Sequence, residues 1–143
     1  MLKHHGVKTR LLHQWKNVTE YFSPYIFEFP RGYALENFDS QRNFALNTWS
    51  ASADYSFPLW YPDWDLSSYL YIKRVRANIF GDMARVQYGG FYQLQSSIGV
   101  DINLDVHLFQ IFFPLSPGIR LGMLPYEGYR YLQFLFDISL PGF

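Results

Sequence analysis

Apolar and polar residues alternate along most of the chain. The alternation is strictest at residues 97–106, where Ile, Val and Leu at even positions are separated by Ser, Gly, Asp and Asn at odd positions. Residues 49–57 follow the same rule, with aromatic residues and alanine separated by serine and aspartate. Successive side chains of a β-strand point to opposite faces, so this period predicts strands with one apolar and one polar face.

Four further segments complete the predicted sheet. Residues 68–83, 111–121 and 131–140 also alternate, and a less regular β-rich segment covers residues 18–29. A short turn is expected at residues 105–108; alternatively, the turn lies at 114–118, because Pro114 and Pro117 cannot donate to a ladder. We therefore predict an all-β fold, an antiparallel up-and-down sheet of about six strands. Residues 1–17 are an unassigned tail, and residues 18–143 form the sheet.

Composition restricts the class of protein. The 143 residues are 21% aromatic, yet they contain 12 Lys and Arg against 12 Asp and Glu, and the mean hydropathy is −0.12. Since no run of about 18 apolar residues occurs, a helical membrane protein is excluded. The balanced charge gives no reason to expect a nucleic-acid partner.

Enzymatic chemistry has little support in the sequence. There is no cysteine, and no Ser-His-Asp order or phosphate-binding loop is present. Two pairs, His4 with His5 and Asp63 with Asp65, lack the additional ligands of a metal site. We therefore expect a protein that is not an enzyme and that has no cofactor and no metal.

Strand length and aromatic placement favour a membrane. Strands of about ten residues match the ~9–11 residues that a tilted strand needs to cross a bilayer. Tyrosine and tryptophan cluster at the strand ends, as in interfacial girdles. A soluble β-barrel or sandwich, in which the apolar faces form a core, stays open as an alternative.

Six strands do not close a membrane barrel, because the smallest bacterial barrels have about eight strands. An open edge in lipid leaves backbone groups without hydrogen bonds. The predicted unit is thus an incomplete barrel, the C-terminal part of a larger one. The basic N-terminus lacks the apolar core of a secretory signal, which agrees with this expectation.

Several motifs carry a resemblance to a known family. Residues 30–33 (Pro-Arg-Gly-Tyr), 54–58, 75–82 and 96–100 resemble, in order and spacing, motifs of the BamA-type outer-membrane assembly and secretion proteins, the bacterial surface antigen family. The alternating C-terminal segment is similar to the strand that marks outer-membrane barrels for assembly. Its residues are Phe134, Phe136, Ile138, Leu140 and Phe143.

The resemblance implies a specific contact. In the family, the loop arginine reaches the aspartate of a Phe-x-Asp element inside the barrel. Here this implies a contact between the loop and the barrel wall. Its residues would be Arg31, Gly32, Tyr33, Phe80 and Asp82. Pro30 departs from the family's usual valine.

Three functions follow as hypotheses. The first is the C-terminal barrel segment of an outer-membrane protein that inserts or translocates proteins. The second is an outer-membrane barrel that acts as a channel or an anchor, and the third is a soluble β-barrel that binds a small apolar ligand. The first implies location in the outer membrane of a double-membrane bacterium, with three partners: outer-membrane lipid, the rest of the parent barrel, and client outer-membrane or secreted proteins.

Overall fold

The described part of the chain is built from β-strands. The computed structural model of the protein describes residues 5–16, 28–33, 45–67, 69–88, 90–108 and 113–138. Its strands are β1 (Gly6–Trp15), β2 (Ala45–Trp60), β3 (Trp64–Ser67), β4 (Leu70–Tyr88), β5 (Phe91–Leu108), β6 (Phe113–Leu124) and β7 (Tyr129–Ile138). The expected all-β fold is confirmed. No helix that could cross a membrane occurs within the described ranges.

The strands form one antiparallel sheet. Its order is β1-β2-β4-β5-β6-β7, and the short β3 pairs with β4 outside this path. Each main strand lies beside its neighbour in sequence, so the expected up-and-down topology is confirmed. In the described residues the sheet is open, with β1 at one edge and β7 at the other.

One face of the sheet is apolar and exposed. Successive partners in the register form a row that crosses all six main strands: Val7, Tyr55, Ile79, Val100, Leu121 and Leu132. Each member of this row is 37% to 74% exposed, and Phe134 on β7 reaches 78%. We call this side the outer face. Within the described residues, no second sheet covers it.

The opposite side, which we call the inner face, is polar and partly covered by residues 28–33. Seven of the nine buried apolar residues that the structure describes collect here, in two small clusters. Tyr33, Phe80, Leu124 and Tyr131 form the first, and Ala84, Val86 and Tyr88 form the second. Phe29 packs against both clusters. The core therefore lies between the sheet and the segment that crosses it.

A strand occurs where the sequence analysis left an unassigned tail. β1 pairs with β2 along its whole length, from Gly6 opposite Ser56 to Trp15 opposite Asn47. Its alternation is hidden in the sequence because Thr9 and His13 lie on the outer face and Leu12 on the inner face. The strand expected at residues 18–29 lies mostly outside the described residues, and Glu28 and Phe29 are in no strand.

Both turn positions proposed between β5 and β6 are wrong. β5 continues through residues 105–108, and β6 contains both Pro114 and Pro117. The register between the two strands is interrupted between the pair Asn103 and Gly118 and the pair Val106 and Leu115. Pro117 lies in this interruption, and on its other side it remains paired with Phe136 of β7.

Gly99 and Gly81 offer a test of the packing on the inner face. A Cβ at Gly99 would lie 2.6 Å from Cζ of Phe80 and 2.4 Å from the carbonyl oxygen of Leu121, whereas a Cβ at Gly81 meets nothing within 4 Å. We expect Gly99→Ala to lower the free energy of unfolding by about 1–3 kcal/mol, as overpacking does. Gly81→Ala, the matched control, should leave it unchanged or slightly higher. Urea titration followed by tryptophan fluorescence measures both, and equal stability of the two variants would contradict the packing.

Candidate functional site

The site begins with a tight turn over the inner face. Residues 31–33 form the turn, in which the N–H of Tyr33 donates to the carbonyl of Pro30 at 3.4 Å. Gly32 has a φ of +91°, a conformation that side chains with a Cβ rarely adopt. The glycine thus lets the chain reverse and brings the flanking Arg31 and Tyr33 to the wall of the sheet.

Arg31 is held by two carboxylates from neighbouring strands. Its Nε and Nη2 donate to the two oxygens of Asp82 on β4, both at 2.8 Å, and its Nη1 and Nη2 donate to the two oxygens of Asp54 on β2, at 2.7 and 3.0 Å. The backbone N–H of Arg31 also donates to Asp82, at 3.1 Å. Two bidentate carboxylates use the planar fork of a guanidinium in a way that a lysine ammonium cannot.

The ring of Phe80 lies beneath the arginines of the site. Cζ of Arg31 is 4.1 Å from the ring centroid, and Cζ of Arg120 is 5.1 Å from it. A guanidinium over an aromatic face is stabilised by the quadrupole of the ring. Phe80 is 3% exposed, so this attraction acts where water is largely excluded.

Tyr33 fixes the other side of the turn. Its buried hydroxyl donates to Oε2 of Glu127 at 2.7 Å and accepts from the N–H of Ser96 at 3.2 Å. The register between β5 and β6 begins at Ile98 opposite Met123, so Ser96 lies beyond the end of β6 and its N–H takes the hydroxyl as an acceptor. Burial and the bond to Glu127 raise the pKa of the Tyr33 hydroxyl, which keeps it protonated as a donor.

Two glycines make room for the ring of Tyr131, which packs under the turn. A Cβ at Gly32 or at Gly122 would lie 2.3 Å from ring atoms of Tyr131. The hydroxyl of Tyr131 forms a hydrogen bond of 2.9 Å with Ser97 Oγ. Gly32 therefore serves both the backbone reversal and the close approach of the turn to β6 and β7.

Hydrogen bonds extend from Arg31 across the inner face. The amide of Asn78 donates to Asp54 at 2.8 Å and to Asp101 at 3.4 Å. Asp101 in turn accepts from Nε and Nη2 of Arg120, directly opposite on β6, at 2.7 and 2.9 Å. A continuous polar network thus joins the turn to four strands of the sheet.

A second ionic group lies towards the other end of the strands. Arg74 and Arg76 on β4 both donate to Asp105 on β5, and Ser116 on β6 donates to the same carboxylate at 3.0 Å. Asp105 and Asp101 lie on one face of β5, yet each is ion-paired with arginine. The arrangement stabilises charge on the inner wall and gives neither carboxylate the role of a free acid or base.

Between the turn and the sheet lies a cavity of about 500 Å³. Its lining carries both signs of charge, including Lys8, Arg76 and Asp82. In the described ranges, no group of His, Asp and Glu side chains is arranged to hold a metal ion. The arrangement attaches the turn to the inner face of the sheet through charge-assisted hydrogen bonds.

The structure brings all five residues of the expected contact together. Arg31 is paired with Asp82, Arg31 stacks on Phe80, and Gly32 and Tyr33 complete the turn. Sequence reasoning placed Asp54 in a motif but missed its bond to Arg31, although Asp54 is the one carboxylate among the inward residues of 48–56, which are otherwise serine and threonine. It also missed the hydrogen bonds that join Tyr33 to Glu127 and Ser96, because nothing local in the sequence indicates these contacts.

The expected C-terminal strand is placed in part. β7 ends at Ile138, and its Phe134 and Phe136 are 78% and 65% exposed on the outer face. Leu140 and Phe143 lie outside the described residues. β7 is one of the two edges of the described sheet, so one side of its backbone has no partner strand there.

Arg31 is the residue whose removal tests the site. Arg31→Ala leaves Asp54 and Asp82 without their shared cation, and we expect a loss of about 3 kcal/mol in the free energy of unfolding. The loss should be smaller in an Asp54→Asn background, because one of the two repelling carboxylates is then neutral. A double-mutant cycle by urea titration measures this coupling.

Arg10 is the matched control for Arg31. Its ion pair with Glu28 at 2.6 Å is exposed, with side chains 50% and 55% accessible. Arg10→Ala should therefore change the free energy of unfolding by less than about 1 kcal/mol. Equal losses for Arg10→Ala and Arg31→Ala would show that the turn is not fastened by its arginine.

Comparison with protein-family models, with curated proteins and with solved structures finds no match to this chain.

Proposed function

We propose that the chain is the C-terminal barrel segment of an outer-membrane protein that inserts or translocates other proteins. The observation that carries the proposal is the turn at residues 31–33. Arg31 binds this turn to Asp82 and Asp54 on the polar inner face of the sheet, whose outer face is apolar. An inward turn of this kind holds a loop against the wall of a barrel interior. This is the contact that the BamA-type resemblance implies.

The division of the sheet into two faces supports a membrane location. The outer face presents exposed apolar side chains from all six main strands, and the inner face presents ion pairs beside a cavity. A strand of a membrane barrel has one side towards lipid and the other towards the interior. The soluble carrier is less favoured, because a soluble sheet buries its apolar face against a second layer.

The two edges of the described sheet support an incomplete barrel. In hydrocarbon, unpaired backbone N–H and C=O groups cost several kcal/mol each, so β1 and β7 need neighbouring strands from the parent barrel. The edge of β7 can also pair with an incoming strand of a client by β-augmentation. The fastened turn keeps β2, β4 and the connection from β6 to β7 in place while that edge exchanges partners.

A channel or an anchor is the second candidate. The observation that favours it is that charged residues on the inner face are paired with one another. Arg120 is ion-paired with Asp101, and Arg74 and Arg76 are ion-paired with Asp105. Such pairs line an interior without requiring any client.

Membrane embedding is tested by adding one charge to each face. Ile102 on β5 is 45% exposed on the outer face, and its neighbour Asn103 lines the cavity. In the membrane, Ile102→Lys should cost about 2–4 kcal/mol and block assembly, because a charge is placed in hydrocarbon. Asn103→Lys, which points to the interior, should assemble normally. Assembly is measured by comparing the gel migration of the heated and the unheated protein from membrane fractions. Normal assembly of both variants would contradict embedding in the membrane.

The proposed activity is tested at the edge of β7. Directly opposite residues in a non-hydrogen-bonded pair of adjacent strands have Cβ atoms about 4.5 Å apart, which a disulfide can span, and the chain has no cysteine of its own. In the full-length protein, Gln133→Cys on β7 should form a disulfide with a single cysteine in the terminal strand of a client, in one register. Asn103→Cys on β5, whose two neighbours are β4 and β6, should not. Disulfides at neither position, in a protein that is correctly embedded, would favour the channel or anchor.

A further inference from the structure

In the main strands that the structure describes, the outer face carries basic side chains and no carboxylates. Apart from tyrosine, the ionisable residues of the six main strands that face outwards in the described residues are His13, Lys73, Arg85 and Arg130. The carboxylates of the same strands lie on the inner face: Asp54, Asp82, Asp101, Asp105 and Asp137. An outer face that carries basic residues and no carboxylates is complementary to an anionic partner.

Arg85 differs from the arginines of the inner face. Within the described residues, Arg31, Arg74, Arg76 and Arg120 are each ion-paired with an aspartate. Arg85 has no carboxylate partner there, and its guanidinium instead lies 4.1 Å from the ring centroid of Tyr92. Stacking on the ring leaves the edge of the guanidinium, with its N–H donors, open to an anion.

Aromatic side chains surround Arg85 at one level of the sheet. Trp49 on β2 is its direct partner in the register, and Trp49 is itself the partner of His13. The rings of His13 and Trp49 are stacked with centroids 4.0 Å apart. Tryptophan and tyrosine prefer the level of the lipid headgroups, so the residues around Arg85 mark the rim of the apolar band.

The length of the apolar row on β4 agrees with a position of Arg85 at the level of the lipid headgroups. Lys73 and Arg85 flank the outward row from Val75 to Met83 and are twelve residues apart. At about 3.3 Å per residue and a tilt of about 40°, they are separated by about 30 Å along the membrane normal. This is the thickness of a hydrocarbon core, so the two cations lie at the two headgroup layers.

We propose that Arg85, with Trp49 and Tyr92, forms a binding site for the phosphate group of a membrane lipid. The site lies at the rim of the apolar band, at the end of the sheet where β4 meets β5. The guanidinium donates to the phosphate oxygens, and the two aromatic rings contact the glycerol and upper acyl region. This proposal rests on the membrane location proposed above. It adds that the protein selects lipids by their headgroup at the position of Arg85.

A single fluorescent label tests the site. Leu94 on β5 is the direct partner of Arg85 and is 52% exposed, and the chain has no other cysteine to label. In the full-length protein with Leu94→Cys, the cysteine is labelled with bimane, and the protein is placed in vesicles of equal amounts of phosphatidylcholine and phosphatidylglycerol. Two preparations are compared: in one the phosphatidylcholine has brominated chains, and in the other the phosphatidylglycerol has them. Brominated chains quench bimane fluorescence, so the ratio of the two quenching efficiencies reports which lipid surrounds the label.

We expect brominated phosphatidylglycerol to be enriched about fivefold around the label, the effect of one basic residue at the membrane surface. Arg85→Gln should reduce the enrichment to about one, and Arg85→Lys should keep most of it. Lys73→Gln is the matched control, since it removes a cation from the other end of the same band and should leave the enrichment unchanged.

The possible failures are distinguishable. Absence of quenching by either brominated lipid would overturn the membrane location and with it the proposed function. Equal quenching by both lipids, or an enrichment that Arg85→Gln does not change, would overturn the phosphate site while membrane contact stands. Loss of enrichment in Lys73→Gln would also contradict the site, because the selectivity would then belong to the net charge and not to Arg85.

Discussion

One guanidinium between two carboxylates holds the described residues in their arrangement. Arg31 contributes a single positive charge to a space that contains Asp54 and Asp82, each partly or largely buried. Without that charge, two like charges on adjacent strands would face each other with little water between them, which is unfavourable. The turn and the wall are therefore mutually dependent: the carboxylates fix the turn, and the turn makes the two carboxylates compatible in one place.

The absence of side chains is as important as their presence at this site. Gly99 and Gly122 are neighbours in the register between Phe80 and Tyr131, and the two rings occupy the space that their missing side chains leave. This flat part of the inner wall admits the turn close to the backbone. Glycine in a strand interior normally weakens it, so its use here fits a place where other chain segments approach closely.

Polar pairing on one side and apolar exposure on the other give the sheet a consistent physical design. Every arginine described on the inner face is ion-paired with a carboxylate, Arg10 with Glu28 and the others with aspartate. This pairing lowers the cost of enclosing charge. The outer face has cations at the margins of an apolar band and none between them on β4. Such a distribution has a physical reason if lipid lies outside and water inside, and this links the proposed barrel to the proposed lipid site at Arg85.

The sequence alone determined the class of fold and the faces of its strands, because a period of two is a local property. The alternation at residues 97–106 was sufficient to place β5 and its apolar side, and the motif around Arg31 and Asp82 was sufficient, through its resemblance, to anticipate their contact. The tertiary structure decided what depends on register between strands. It placed β1 beside β2, accommodated Pro117 in an interruption of the ladder, added Asp54 to the arginine, and brought Ser96 and Glu127 to the hydroxyl of Tyr33. Those contacts join residues far apart in sequence, and no local pattern contains the alignment of one strand on another.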